Sequence, residues 1–361
     1  MTHGIALWGF FLGKEGWLIS ACIFTMRLSE LGERKLVELI REWWKGDGRL
    51  EVGIGDDAAV LRLGEEHLVL TTDILFQHSH FPLGATPEQM GWKAAAVNLS
   101  DLAAMGAEPL ALLFSLALPS ETDLRVFRKI MNGMERAAKR YGAALAGGDL
   151  SEDEEIAIAG FAVGRAGRIL RRSGAKVGDL LAVTNRLGRA SAGLHLLTHS
   201  LRSRSYYELV KAQLEPEPRI REGQILAAGG ATSAIDLSDG LASNLWQLAL
   251  ESGVRMVLER VPTHPLVERF ARENGLDPLE FSLFGGEDYE LLFTLPPEKV
   301  EEMGRNLKKV GSELTVIGRV EKGKGVVREV EGRPVPVPNR GYEHFRGTED
   351  GRAAEGGKGG P

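Results

Sequence analysis

The chain has 361 residues, 43% of them hydrophobic and 26% charged, ordinary for a soluble globular protein and long enough for two α/β domains. Its formal net charge of −6 lacks the basic surplus of a non-specific nucleic-acid binder, so no nucleic-acid partner is expected. Cys22 is the only cysteine, which excludes an internal disulfide, a cysteine-built zinc site and an iron–sulfur cluster, and fits a reducing cytoplasm.

Residues 1–25 are rich in Trp, Phe, Leu and Ile, but Lys14 and Glu15 interrupt the run before it is long enough to span a bilayer. No basic residue precedes the first apolar run, as a signal peptide would need, so the segment reads as a non-essential extension ahead of a start at Met26, with a peripheral membrane anchor as the alternative reading; no membrane partner is expected. Residues 28–44 have helical periodicity, with Ser29 as N-cap and Gly46 as stop. Residues 67–73 predict a strand entering a functional loop. Residues 92–105 are small and apolar nearly all round, as in a buried helix ended by Gly106. A strand over 110–118, an amphipathic helix over 123–141, a short strand over 143–146 entering a Gly147-Gly148-Asp149 turn, and a strand over 156–163 complete the first half.

After a boundary near 165–175 the pattern resumes with a strand over 180–184 and helices over 190–199, 206–214 and 219–228. A helix over 239–251 with Ser238 as cap follows, then strands over 255–258, 289–294 and 314–320. The expected domains are 26–168 and 169–346, and the Gly- and charge-rich residues 347–361 read as a disordered tail.

The chemistry lies in aspartates set among Gly, Ala, Val and Leu: Asp56, Asp57, Asp73, Asp101, Asp149, Asp236 and Asp239. Crowded, desolvated carboxylates raise one another's pKa unless cations neutralise them. Oxygen ligands of this kind suit Mg²⁺, which is commonly shared with substrate phosphates, so a phosphorylated nucleotide is the expected ligand. Asn98 and Asp101 stand three apart and share one helix face. Each position also has a plainer reading: Gly53 to Asp57 as a turn, Thr71 and Thr72 as strand residues, Asp101 as a charge paired with Lys93 or an arginine, Ser238 and Asp239 as caps, and Arg172 as a surface charge. Neither a Walker-type phosphate loop nor the His-Arg-Asp kinase signature is present.

Seven motifs stand in order: Gly53-Ile54-Gly55-Asp56-Asp57, Thr71-Thr72-Asp73, Asn98-Leu99-Ser100-Asp101-Leu102-Ala103-Ala104-Met105-Gly106, Gly147-Gly148-Asp149, Arg172-Ser173-Gly174-Ala175-Lys176, Ile235-Asp236-Leu237-Ser238-Asp239-Gly240 and Gly285-Gly286-Glu287-Asp288-Tyr289-Glu290-Leu291. Together they resemble the thiamine-monophosphate kinase family, in the superfamily that also holds aminoimidazole ribonucleotide synthetase, selenophosphate synthetase and the hydrogenase maturation protein HypE. The resemblance covers residues 26–345, and its last motif points to the kinases.

That resemblance implies an α/β (α+β) two-domain fold, with an N-terminal sheet domain pairing in a homodimer and a C-terminal α/β domain. It implies ATP-dependent phosphorylation of thiamine monophosphate to thiamine diphosphate with several Mg²⁺ ions and no catalytic side-chain base. The implied metal ligands are Asp57, Thr71, Thr72, Asp73, Asp101, Asp149, Asp236 and Asp239; Gly148, Asp149, Arg172 and Ser238 would contact ATP. His80, Glu287 and Tyr342 would face thiamine monophosphate, the last two offering a carboxylate and an aromatic face to the cationic thiazolium. The alternatives are another ATP-dependent enzyme of the superfamily and a non-catalytic thiamine-phosphate sensor. Lack of an internal reactive cysteine disfavours selenophosphate synthetase.

Overall fold

The computed structural model describes residues 27–44, 48–201 and 204–345. The expected extension over 1–25, the stop at Gly46 and the tail over 347–361 lie outside the described residues. Among those described, no helix is long and apolar enough to cross a membrane.

The chain divides into two units. In the smaller, helix α1 (Leu28–Trp43) is interrupted at Gly32, whose φ is 74°. There the Glu33 N–H donates to the His344 carbonyl at 3.2 Å, and the His344 N–H donates to the Glu33 carboxylate at 3.1 Å. Ser29 is not the cap: the helix begins after Arg27, whose N–H donates to the Glu30 carboxylate at 2.9 Å, and Ser29 falls inside the first turn.

The larger unit, Gly46–Tyr342, contains both sheets. The first is built from β1 (Leu50–Val52), β2 (Ala59–Leu63), β3 (Glu66–Phe76), β4 (Glu108–Leu118), β5 (Ala144–Glu152) and β6 (Ala157–Ala166), in the order β1-β2-β3-β6-β4-β5. Only β4 and β5 run parallel, and a parallel pair needs a crossover, supplied by helix α4 (Leu124–Tyr141). Between β3 and β4 come the short helix α2 (Gln77–His80) and helix α3 (Pro87–Ala104). Helix α3 starts earlier than apolar periodicity indicates because Thr86 and Gln89 form a reciprocal capping box: the Gln89 N–H donates to Thr86 Oγ1 at 3.3 Å and the Thr86 N–H to Gln89 Oε1 at 3.0 Å.

The second sheet takes β7 (Leu180–Thr184), β8 (Ser233–Asp236), β9 (Arg255–Leu258), β10 (Leu291–Leu295), β11 (Leu314–Glu321), β12 (Gly325–Val330) and β13 (Arg333–Pro336), ordered β13-β12-β9-β11-β7-β10-β8. Among its helices are α5 (Arg189–Thr198), α6 (Tyr207–Leu214), α7 (Ile220–Gly229) and α8 (Leu241–Ser252). The mixed α/β expectation with two sheets therefore holds. Strands β1, β2, β8, β12 and β13 are too short or too polar on one face to stand out in the sequence.

Helix α3 is buried on all sides because it packs on β3 and β6 and also on α7 and β8. Its approach to neighbouring helices is limited only by backbone: a Cβ on Gly133 of α4 would lie 1.9 Å from the Glu88 carbonyl, and one on Gly223 of α7 would lie 2.0 Å from the Ala103 carbonyl. One continuous apolar cluster runs from Val60 and Val69 through Leu99 and Leu102 to Leu291 and Phe293. The helix that carries Asn98, Ser100 and Asp101 is thus the shared core of the unit.

Candidate active site

Asp57 comes from the loop between β1 and β2, Thr71 and Asp73 from β3, Asp101 from α3, and Asp236 from the end of β8. One carboxylate oxygen from each of Asp57, Asp101 and Asp236 lies within 4.8 Å of the other two. Thr71 donates its hydroxyl to Asp101 Oδ2 at 2.6 Å, and Ser100 donates to Asp236 Oδ2 at 2.6 Å. Asn98 fixes the β3 backbone beside them, accepting the Asp73 N–H on Oδ1 at 3.2 Å while Nδ2 donates to the Ala94 carbonyl at 3.0 Å. Period-two alternation separates Thr72 from this face: its hydroxyl donates to the Gly160 carbonyl at 2.8 Å, while Thr71 and Asp73 point together.

The cluster is electrostatically uncomfortable. Burial, then repulsion from Asp57, pushes both Asp56 and Asp236 up to about 7. Asp101 is driven well above the carboxylate range by burial and by Asp73, Asp236 and Asp57. Asp57 is also raised by burial, against the opposing pull of Arg172. Its Oδ1 accepts Arg172 Nη2 at 2.7 Å and Nε at 3.2 Å, whereas its Oδ2 is buried without a hydrogen-bond partner. An orphaned anionic oxygen amid three convergent carboxylates is a donor set for a hard cation. Arg172 Nη1 donates to Gln247 Oε1 at 2.7 Å, and Gln247 Nε2 donates to Asp239 Oδ2 at 3.2 Å, so Gln247 joins two of the expected residues.

Two local expectations are corrected. Gly147-Gly148-Asp149 is not a turn but the middle of β5, with Gly148 opposite Phe114 and Asp149 opposite Ser115. Gly148 is required by that pairing, since a Cβ there would lie 1.7 Å from the Phe114 carbonyl. Asp149 lies exposed on this edge strand and is not one of the three clustered carboxylates. Ser238 does not cap α8: Gly240, at φ 106°, holds that position, and the Ser238 hydroxyl donates instead to Asp236 Oδ1 at 3.3 Å.

A second group gathers around Glu287. Lys93 is not the partner of Asp101; its ammonium lies 2.6 Å from Glu287 Oε1 and donates to the His80 carbonyl at 3.1 Å. His80 Nδ1 accepts the Phe76 N–H at 3.0 Å, and His78 pairs with Glu155 at 2.7 Å. Tyr342 is 50% exposed, its N–H donating to the Asp239 carbonyl at 3.1 Å. The neighbouring acids do structural work. Buried Asp288, pushed up to about 7 by burial, accepts the Gly188 N–H at 2.6 Å and the Ala190 N–H at 3.3 Å at the start of α5. Glu290 is gripped by Arg219 at 2.7 and 2.9 Å, Thr184 at 2.6 Å and Asn185 at 2.9 Å.

A six-stranded and a seven-stranded sheet sharing one buried helix, with aspartates converging between them, define a protein of the AIR-synthase-related class. The family descriptions that match are "AIR synthase related protein, N-terminal domain" over residues 55–166 and "AIR synthase related protein, C-terminal domain" over residues 176–331. Within that class, the thiamine-monophosphate kinase of Pyrococcus horikoshii is 39% identical over 296 residues, 81% of this chain and 91% of the relative. That of Aquifex aeolicus is 36% identical over 324 residues, 89% of this chain and 100% of the relative. The chain belongs to the thiamine-monophosphate kinase family. A solved structure described as AaThiL complexed with AMPPCP and TMP has a TM-score of 0.81 at 36% identity, covering 89% of this chain and 100% of that one. Hydrogenase maturation protein HypE, with a TM-score of 0.62 at 18% identity, shares the fold.

Proposed function

We propose that this protein transfers the γ-phosphoryl group of ATP to thiamine monophosphate, giving thiamine diphosphate and ADP, with Mg²⁺ as the metal. The observation that carries this reading is the convergence of Asp57, Asp101 and Asp236, with the Asp57 Oδ2 orphaned, in a chain that aligns along most of its length with named kinases of this substrate. The relative bound to AMPPCP, a non-hydrolysable ATP analogue, and to TMP supports the choice of both substrates.

The all-oxygen donor set fits Mg²⁺: Asp57, Asp101 and Asp236 would hold it, with Thr71 and Asp73 beside them and Asp239 assigned to the same ions by the family resemblance. Bound Mg²⁺ supplies positive charge that offsets crowded carboxylates and phosphate oxygens. The hydroxyl of Thr72 is outside the proposed set because it faces the other side of β3. Arg172, Ser238, Gly148 and Asp149 are assigned to the nucleotide, and His80, Glu287 and Tyr342 to thiamine monophosphate. The acceptor phosphate is already anionic near neutral pH, so the transfer needs no strong general base. A terminal phosphate oxygen attacks the γ-phosphorus as the bond to the ADP oxygen breaks. What the side chains contribute is orientation of two polyanions and exclusion of water.

We also propose a homodimer, formed through the face of the first sheet opposite α3, where Ile74, Phe76 and Phe161 are exposed on alternate strand positions; the domain division at 168/169 and a cytoplasmic setting belong to the same reading. Sedimentation checks the dimer. The activity is checked by incubating the protein with ATP and Mg²⁺ and following ADP and thiamine diphosphate. Thiamine monophosphate is the expected acceptor, and unphosphorylated thiamine is expected to be poor for want of an anionic nucleophile. ADP release only with another superfamily acceptor, or ligand binding without turnover, would favour the other enzymes of the class or a sensor.

A further inference from the structure

Lys93 is among the most deeply buried side chains of the protein, 1% exposed, and no feature of the phosphoryl-transfer chemistry calls for it. A buried ammonium is tolerated only where its partners repay desolvation. Its two partners are both on the side assigned to thiamine monophosphate: Glu287 Oε1 at 2.6 Å and the His80 carbonyl at 3.1 Å. The other oxygen of Glu287 accepts Nε2 of Gln213, itself 1% exposed, whose Oε1 is buried without a hydrogen-bond partner. Glu287 also has an uncommon backbone for a residue with a side chain, φ 66°, held by donation of its N–H to the Ser238 carbonyl at 2.7 Å.

We infer that Lys93 is a positioning residue for the acceptor substrate: resting on the reading of this protein as a thiamine-monophosphate kinase, it fixes the Glu287 carboxylate and ties it to the main chain of His80. A carboxylate offers about four lone-pair sites, and Lys93 and Gln213 use two. The remainder are presented in one fixed direction by a carboxylate whose charge is already balanced. Recognition at Glu287 therefore rests on directed hydrogen bonding more than on attraction for any cation, and the orphaned Gln213 Oε1 provides a second acceptor beside it. Lys93 lies on the same helix as Asn98, Ser100 and Asp101, so acceptor geometry and carboxylate geometry are set by one rigid element.

The test compares Lys93→Met, Lys93→Arg, Glu287→Gln and the double variant Lys93→Met/Glu287→Gln, each measured for steady-state kinetics and for calorimetric binding of thiamine monophosphate. Lys93→Met is expected to raise KM and the dissociation constant for thiamine monophosphate by about tenfold, to move KM for ATP by no more than about twofold, and to lower kcat less than it raises KM. Lys93→Arg should recover part of the loss. In the Glu287→Gln background, the Lys93 substitution should add almost nothing, because the carboxylate it positions is gone. The double variant also removes both charges of the buried pair, so it reports even if Lys93→Met does not fold. An unchanged KM for thiamine monophosphate, an equal rise in KM for ATP, or additive effects in the double variant overturns the inference. Wild-type protein that neither binds nor phosphorylates thiamine monophosphate overturns the parent reading instead, and the inference with it.

Discussion

Two buried acidic sites, both within the larger unit, are built on opposite terms. Glu290 accepts hydrogen bonds from Thr184 and Asn185 and is forked by Arg219, so its charge is answered where it stands. Asp57, Asp101 and Asp236 crowd one another around a single guanidinium, with raised pKa values and one oxygen left over. Burial alone does not separate them, since Glu290 and Asp236 are 1% and 2% exposed. What differs is whether the protein supplies the counter-charge. A buried carboxylate that is fully partnered serves the fold, and one left short of partners awaits something from outside.

The largest effect that would sharpen this contrast comes from Asp101→Asn. Turnover is expected to fall by about three orders of magnitude, since the charge is removed where phosphoryl transfer needs it. Chelator-treated Asp101→Asn should nevertheless melt no lower than the parent, because repulsion from Asp73, Asp236 and Asp57 is relieved. A matched loss of melting temperature would place Asp101 with Glu290 as a fold residue. Next comes Arg219→Met, which strands Glu290 and should cost about 3–5 kcal/mol in a urea titration. Turnover per folded molecule should be kept; a parallel loss of activity would break the division between the two sites.

A separate effect is in the pH dependence of stability. Asp56, Asp236 and Asp288, each near pKa 7 in the folded chain, bind protons more tightly there than unfolded. Between about pH 4, the ordinary carboxylate range, and about pH 7, the folded state holds the extra protons, so metal-free protein should lose stability as pH rises across that window. Saturating Mg²⁺ should flatten the part due to Asp236 and leave the part due to Asp288, which sits apart at the start of α5. Denaturant titrations at several pH values, with and without Mg²⁺, check this; a slope untouched by Mg²⁺ would remove the cluster from the account.

The sequence carried the acids of the cluster because Asp57, Asp101 and Asp236 stand in surroundings where a carboxylate is conspicuous. Periodicity likewise placed β7 and β9 at their observed bounds. Ser100, Gln247 and Lys93 were invisible as site residues, since each is an unremarkable residue of a helix and acquires meaning from a partner far along the chain, as Ser100 does from Asp236. Strand alternation was available as a signal for Thr72: neighbours in a strand face opposite ways, so Thr71 and Thr72 cannot both turn their hydroxyls to Asp73. The Gly147-Gly148 pair misled in the other direction, because glycine demanded by a close neighbouring strand looks the same in sequence as glycine demanded by a turn.

Helix α3, seized near its start by Gly133 and near its end by Gly223, has a further consequence for how the protein tolerates change. Neither glycine touches a clustered carboxylate, yet even a methyl group at either would have to shove the whole rod sideways. Lys93, Asn98, Ser100 and Asp101 would travel with it as one body. Sequence drift can therefore proceed freely over much of the outer surface of α4, while two glycines that carry no part of the chemistry act as set-screws on α3.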